Sequence, residues 1–283
     1  SDPPLEYLMN LIAIVRDTNC AVTKQILDYE PSESNNWNPT KVESKEDLNT
    51  LLAQKLQVNN CIAIQGPPGT GKTYRMAALS AELLRQGKSV LVTALTNQAL
   101  IELVKKKDLK DFLDAQKVTK TSLTVDESKE LPKLQPNKKN LCNAAPGYLS
   151  LATFYLSSAW AKDAIEIPFD YVIMDEASQA LYPMIAASVK LGNKIIWIGD
   201  QNQLPPIVLT GDDVINRYDW GGIVKGFNTL CTNFSYPSYM LKDTFRLTER
   251  GAACTGIFYN NDLNSVSKVQ TIKSVSYTHL RAH

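Results

Sequence analysis

From about residue 48 the chain alternates short apolar runs with stretches of helical periodicity. The runs CIAIQ (61–65), SVLVTA (89–94), YLSLATF (148–154), YVIMDE (171–176) and KIIWIG (194–199) are apolar and strand-length, and each is predicted to be a strand. Between the first two, TYRMAALSAELLRQG puts Met76, Leu79, Leu83 and Leu84 on one face. It ends on Gly87, a residue suited to a helix C-terminus. A second helix is predicted at NQALIELVKK (97–106), and a third from about Gln179 to Leu191, stopped by Gly192. Strands apolar on both sides and separated by helices predict a parallel sheet covered on both faces, an α/β fold.

The flanks follow other patterns. Near the start, Leu8, Leu11, Ile12 and Val15 recur at helical spacing, and a polar stretch, EPSESNNWNPTKVESKED, follows. Residues 1–47 therefore read as a helix and a linker. Residues 48–236 form the α/β domain, with lysine-rich 105–140 as an insertion or a long surface excursion. DWGGIVKGFNTL (219–230) reads as helical. The last predicted strand, YMLKDTF (239–245), and the helix after it are expected to open a second domain over 237–274. Both histidines lie in VSYTHLRAH (275–283). Its back-translation resembles a sequencing adapter read in frame, so it is read as a non-native tail, the alternative being a genuine polar terminus.

Composition narrows the function classes. A formal charge of +1 over 283 residues excludes a uniformly basic, nucleic-acid-coating chain, so any basic surface is local. The five cysteines are far apart and contain no CxxC pair, so no zinc site or disulfide framework is expected. No apolar run approaches a membrane span. The expectation is a reduced cytoplasmic protein, or a nuclear one in a eukaryote, with no membrane partner.

Three motifs carry the chemistry. GPPGTGKT (66–73) lies between a predicted strand and a predicted helix, the context of a phosphate-binding P-loop. There the backbone of Gly66, Pro67, Pro68, Gly69, Thr70 and Gly71 would cradle phosphates at a helix N-terminus. Lys72 would reach the β- and γ-phosphates of ATP, and the Thr73 hydroxyl would ligate Mg²⁺. YVIMDEASQ ends a strand in two acids. Asp175 would hold Mg²⁺ through water, and Glu176 would orient and deprotonate the attacking water. GDQNQLPP (199–206) delivers Gly199, Asp200 and Gln203 to the same edge. The Gln203 amide both donates and accepts, so it can bond a γ-phosphate and release it after hydrolysis. Pro205 and Pro206 would stiffen the segment that follows.

In this order, GPPGTGKT, DEASQA and GDQNQLPP resemble motifs I, II and III of superfamily 1 helicases, and among them the Upf-like branch. TALTNQALIELV (93–104) resembles motif Ia, LATFYLSSA (151–159) the next nucleic-acid motif, and LKDTFRLTER (241–250) motif IV. The resemblance covers roughly residues 48–265. It implies a RecA-like P-loop NTPase domain followed by the start of a second RecA-like domain. It also implies that Thr96, Asn97 and Thr153 face single-stranded nucleic acid, that Phe245 stacks on the base of ATP, and that Arg246 acts as an arginine finger. Three departures stand out. The adenine-reading glutamine has no clean counterpart, Gln54 lying near the P-loop and Asn49 further upstream. Motif IV reads Thr-Phe-Arg where Gln-Tyr-Arg is commoner, and motifs V and VI are absent.

Two functions stay open at this stage. One is a monomeric ATP-driven translocase or helicase on single-stranded DNA or RNA, with DNA preferred and its protein partners unknown. The other is an ATP-switched scaffold in a repair, defence or RNA-processing assembly. Strand-stimulated ATP turnover separates them.

Overall fold

The computed structural model describes residues 5–17, 19–28, 37–43, 46–137 and 143–267; the tail at 275–283 lies outside them. Among the described residues nine strands form one sheet: β1 (Thr40–Val42), β2 (Cys61–Gln65), β3 (Val90–Ala94), β4 (Val118–Lys120), β5 (Gln135–Pro136), β6 (Leu149–Thr153), β7 (Phe169–Met174), β8 (Gly192–Gly199) and β9 (Ser238–Leu241). Their spatial order is β1-β9-β2-β8-β7-β3-β6-β4-β5, and every neighbouring pair is parallel.

Alternation along the central strands explains the two-sided burial. Ile62 and Ile64 of β2, Ile173 of β7, and Ile196 and Ile198 of β8 face a core closed by the helices Leu48–Val58, Lys72–Arg85 and Asn97–Val104. Cys61, Ala63, Val172, Met174, Ile195 and Trp197 face the opposite core, under Leu5–Arg16, Phe154–Asp163, Tyr182–Ser188 and Gly226–Asn233. Side chains of period two with both faces apolar leave room only for the interior of an α/β sandwich. The central strand assignments and the α/β class agree with the sequence reading.

Several expectations about the periphery are corrected. The first helix buries Tyr7, Asn10, Leu11 and Ile14, whereas Ile12 and Val15 are exposed. The periodicity found the helix and its core residues Leu8 and Leu11, but Ile12 and Val15 lie on a second face that adjacent apolar residues fit equally well. The described residues before Leu48 pack on the domain that follows: Leu11, Ile14 and Ile26 enter the core and β1 pairs with β9. The lysine-rich stretch contributes the two outermost strands on one side, β4 and β5. Lys120 is buried there, donating to the Ser122 carbonyl and to Glu127. The helix expected over 179–191 is shorter, Tyr182–Ser188, and Gly192 opens β8.

The expected boundary at 237 falls inside the sheet. The strand foreseen over 239–245 divides into β9, which pairs with β2 and β1, and β10 (Asp243–Thr244), which pairs with β11 (Asn264–Ser265) in a separate two-stranded ladder. Parallel pairing beside β2 was invisible in sequence because the partner strand lies about 175 residues earlier, and strand periodicity carries no partner information.

Candidate functional site

Register brings the motifs together. Gln65 pairs with Gly199, Met174 with Trp197, and Ala94 with Thr153, so the strands end together at one carboxyl edge. That edge is where open α/β sheets bind ligands. Immediately beyond it lie the loop from Gly66, the 95–97 turn, Asp175-Glu176 and the 200–203 turn.

The P-loop starts with the Gly66 amide donating to the Gly199 carbonyl (2.9 Å), which ties it to β8. The Thr70 hydroxyl donates to the Pro67 carbonyl (2.8 Å) and closes the turn. Gly69 and Gly71 both have φ of +77°, a region costly for any side chain. A Cβ on Gly69 would also come within 2.5 Å of the Arg246 Cβ. Gly71 caps the helix Lys72–Arg85, whose first turn aims free amides into the loop. Lys72 lies folded over Gly66 and donates to its carbonyl. Burial lowers its pKa, while Asp175 and Asp200 nearby act to keep it charged.

A cavity of about 880 Å³ opens over this loop. Gly69, Gly71, Lys72 and Thr73 line it together with Gln203, Phe245 and Arg246. The Phe245 amide donates to the Gly69 carbonyl (2.9 Å), and the Thr244 hydroxyl donates to the Pro68 carbonyl (3.1 Å). Motif I and motif IV are thus hydrogen-bonded to each other. Phe245 stays half exposed, with its ring edge near Gly71, free to cover a planar group. Tyr74, Glu102 and Lys106 also line the cavity, and the Lys106 ammonium lies 4.5 Å from the Tyr74 ring centroid. Sequence reasoning missed this wall, since nothing local ties residue 106 to residue 74. Arg75 is half-buried, with Asp243 and Asp47 as its charge partners. Neither Gln54 nor Asn49 is on the cavity wall.

The two acids after β7 are buried to different degrees. Asp175 is 8% exposed and accepts from the Glu176 amide (2.8 Å); burial raises its pKa, and that amide and Lys72 oppose the rise. Glu176 sits at φ +55°, a strained turn for a non-glycine residue, and accepts from the Leu95 amide (3.1 Å). Its pKa is raised first by burial and then by Asp175. A carboxyl whose proton affinity is raised, beside a P-loop, has the chemistry that a general base would need. Among the described residues no group of three or more His, Cys, Asp or Glu gathers to enclose a metal. The available donors are the Thr73 hydroxyl and the Asp175 carboxylate. They fit a Mg²⁺ whose shell is completed by phosphate and water.

Thr96, Asn97 and Thr153 come together at the adjacent ends of β3 and β6. Thr96 and Asn97 are exposed and Thr153 is half-buried. The Thr96 hydroxyl accepts from the Ala99 amide (3.2 Å), so it also caps its helix, the ordinary task of a threonine at that place.

A family model of the AAA domain matches residues 48–212, more than half of the chain. The DNA replication ATP-dependent helicase/nuclease DNA2 of Saccharomyces cerevisiae is 27% identical over 200 residues, 65% of this chain and 12% of that protein. Its Schizosaccharomyces pombe counterpart is 30% identical over 176 residues, 58% of this chain and 12% of that protein. The chain therefore spans about an eighth of the length of these relatives. A solved structure of the PRRSV helicase superposes on 77% of this chain and 37% of its own, at 16% identity and a TM-score of 0.42. By family model, motif order and relatives together, the chain belongs to the AAA-domain family, as a superfamily 1 helicase domain of the Upf-like branch.

Proposed function

We propose that this domain hydrolyses ATP to drive movement along single-stranded DNA, as the motor of an ATP-dependent helicase. The supporting observation is the convergence of Lys72, Thr73, Gln203, Phe245 and Arg246, from motifs I, III and IV, on one cavity beside Asp175 and Glu176. ATP would lie with its phosphates in the P-loop and its base against Phe245. Lys72 offsets the charge of the β- and γ-phosphates, and Glu176 takes the proton of the attacking water as the bond to the leaving diphosphate breaks. Mg²⁺, held by Thr73 and through water by Asp175, would neutralise phosphate charge. Gln203 senses the γ-phosphate, and Arg246 stabilises the charge that develops on it. Thr96, Asn97 and Thr153 grip the strand. The names of the DNA2 relatives favour DNA over RNA. No described helix is long and apolar enough to cross a membrane, and we place the protein in the cytoplasm or, in a eukaryote, the nucleus.

The test is ATP turnover by the protein expressed from its complete gene, with single-stranded DNA, with single-stranded RNA and with neither, using Glu176→Gln as the blank. A motor on DNA gives turnover that DNA stimulates most and that the blank lacks. Turnover indifferent to both strands would instead identify an ATP-switched scaffold.

A further inference from the structure

The 200–203 turn carries Gln203 to the cavity, yet little packing holds it. Just beyond it, Leu204, Ile207 and Leu209 are about four-fifths or more exposed. What fixes the turn is the side chain at its start. Asp200 is 1% exposed, and its carboxylate accepts from Gln65 Nε2 (3.3 Å), from the Asn202 amide (3.2 Å) and from the Tyr259 hydroxyl (2.6 Å). The Asp200 carbonyl in turn accepts from the Gln203 amide (3.0 Å). A second tie runs the same way, the Asn202 side chain donating to the Phe258 carbonyl (2.8 Å).

Two of these ties come from residues 258 and 259, downstream of Arg246. Tyr259 packs with Met240, Leu263 and Leu247, and Leu247 directly follows Arg246. The Ser265 hydroxyl donates to the Leu247 carbonyl (2.7 Å) and secures the same unit. One small cluster therefore holds the base of Arg246 on one side and the base of the Gln203 turn on the other. Burial and the bond to Asp200 keep the Tyr259 phenol protonated and donating well above physiological pH.

We propose that Tyr259 is a positioning residue for ATP hydrolysis. Through its hydroxyl on Asp200 it sets Gln203 against the γ-phosphate and couples that placement to Arg246. It is not on the wall of the P-loop cavity, and no motif includes it. Removing the hydroxyl leaves a buried carboxylate short of a donor and frees the turn to shift. A shift of that kind costs transition-state stabilisation while leaving the P-loop and Phe245 to bind ATP.

This inference rests on the hydrolytic reading of the site, and the experiment separates the two. In the protein expressed from its complete gene, Tyr259→Phe should lower strand-stimulated kcat about tenfold, with KM for ATP within about twofold of the parent. Asp200→Asn should lower kcat similarly, and the double variant should be no slower than about twofold below the slower single, because both remove one link. Asn202→Ala, a change at an exposed position, should slow turnover about threefold and keeps the test open if Tyr259→Phe fails to fold. Unchanged kcat in a folded Tyr259→Phe protein, whatever its melting temperature, would overturn the proposal. Losses that multiply in the double variant would do the same. Glu176→Gln decides which reading has failed. If it is inactive while Tyr259→Phe turns over like the parent, only the positioning role falls. If it stays active, the hydrolytic reading falls and takes this inference with it.

Discussion

The ends of β7 and β8 lie side by side, and each places a buried acid next to Lys72. They are supplied with donors very differently. Asp200, after β8, is met by a side-chain amide, a backbone amide and a phenol. After β7, Asp175 accepts from the backbone amide of Glu176, and Glu176 from the backbone amides of Leu95 and Thr96; burial raises both of their pKa values. A carboxylate saturated with donors is a fixed point of the structure. One buried beside a second acid keeps an affinity for a proton, which is what a catalytic base would require. One strand end is tied by long-range side-chain donors, and its neighbour carries two acids whose proton affinity is raised.

The sharpest way to break this comparison is Glu176→Gln. It should lower ATP turnover about 10³-fold, the scale of a lost general base, measured by phosphate release at saturating ATP and strand. The same variant should melt higher than the parent at pH 7. Glu176 has its folded pKa above the ordinary 4.5, so the fold disfavours its charged form. That penalty is absent below about pH 4, grows as pH rises toward the folded pKa, and is complete above it. The gain in melting temperature should therefore vanish near pH 4, and an equal or lower melting temperature at pH 7 would contradict the reading.

Asp200→Ala should behave in the opposite sense. It strands three donors, two of them on the buried Gln65 and Tyr259, and should cost about 3 kcal/mol in a denaturant melt. The pH profile refines the contrast: the acid limb of kcat should have its midpoint above 4.5, since Glu176 must be deprotonated to act. A midpoint at or below that value would remove Glu176 as the base. The smallest effect belongs to Thr96→Ala, which should cost about 1 kcal/mol of stability through the lost helix cap. A fall in strand stimulation beyond that cost would identify Thr96 as a contact to the strand.

Legibility in the sequence followed locality. The P-loop, its helix and the acids after β7 are contiguous segments, so their residues lie within reach of one another in any fold that keeps the strand–loop–helix order. The central strands were equally plain, because Ile, Val and Leu on both faces leave a run no exposed side. Other features depended on distance along the chain. The hydroxyl of Tyr259 on Asp200, Phe245 against Gly69 and β9 beside β2 each join segments 59 to about 175 residues apart. No periodicity records such a pairing. The buried face of the first helix was only half legible for a subtler reason, since Leu11 and Ile12 are both apolar and only packing chose between them.

By itself, then, the sequence determined an α/β sheet covered on both faces, a phosphate cradle at the end of β2 and an acidic pair at the end of β7. These follow from side-chain alternation, glycine's access to positive φ and the chemistry of adjacent residues, all of which act over a few positions. Tertiary structure alone decided that β9 completes the first sheet, that motif IV bonds back to the P-loop, and that Asp200 receives side-chain donors from Gln65 and Tyr259 while Glu176 receives backbone amides. Those outcomes depend on which distant donors reach a buried carboxylate, and only the packed chain brings them within hydrogen-bonding distance.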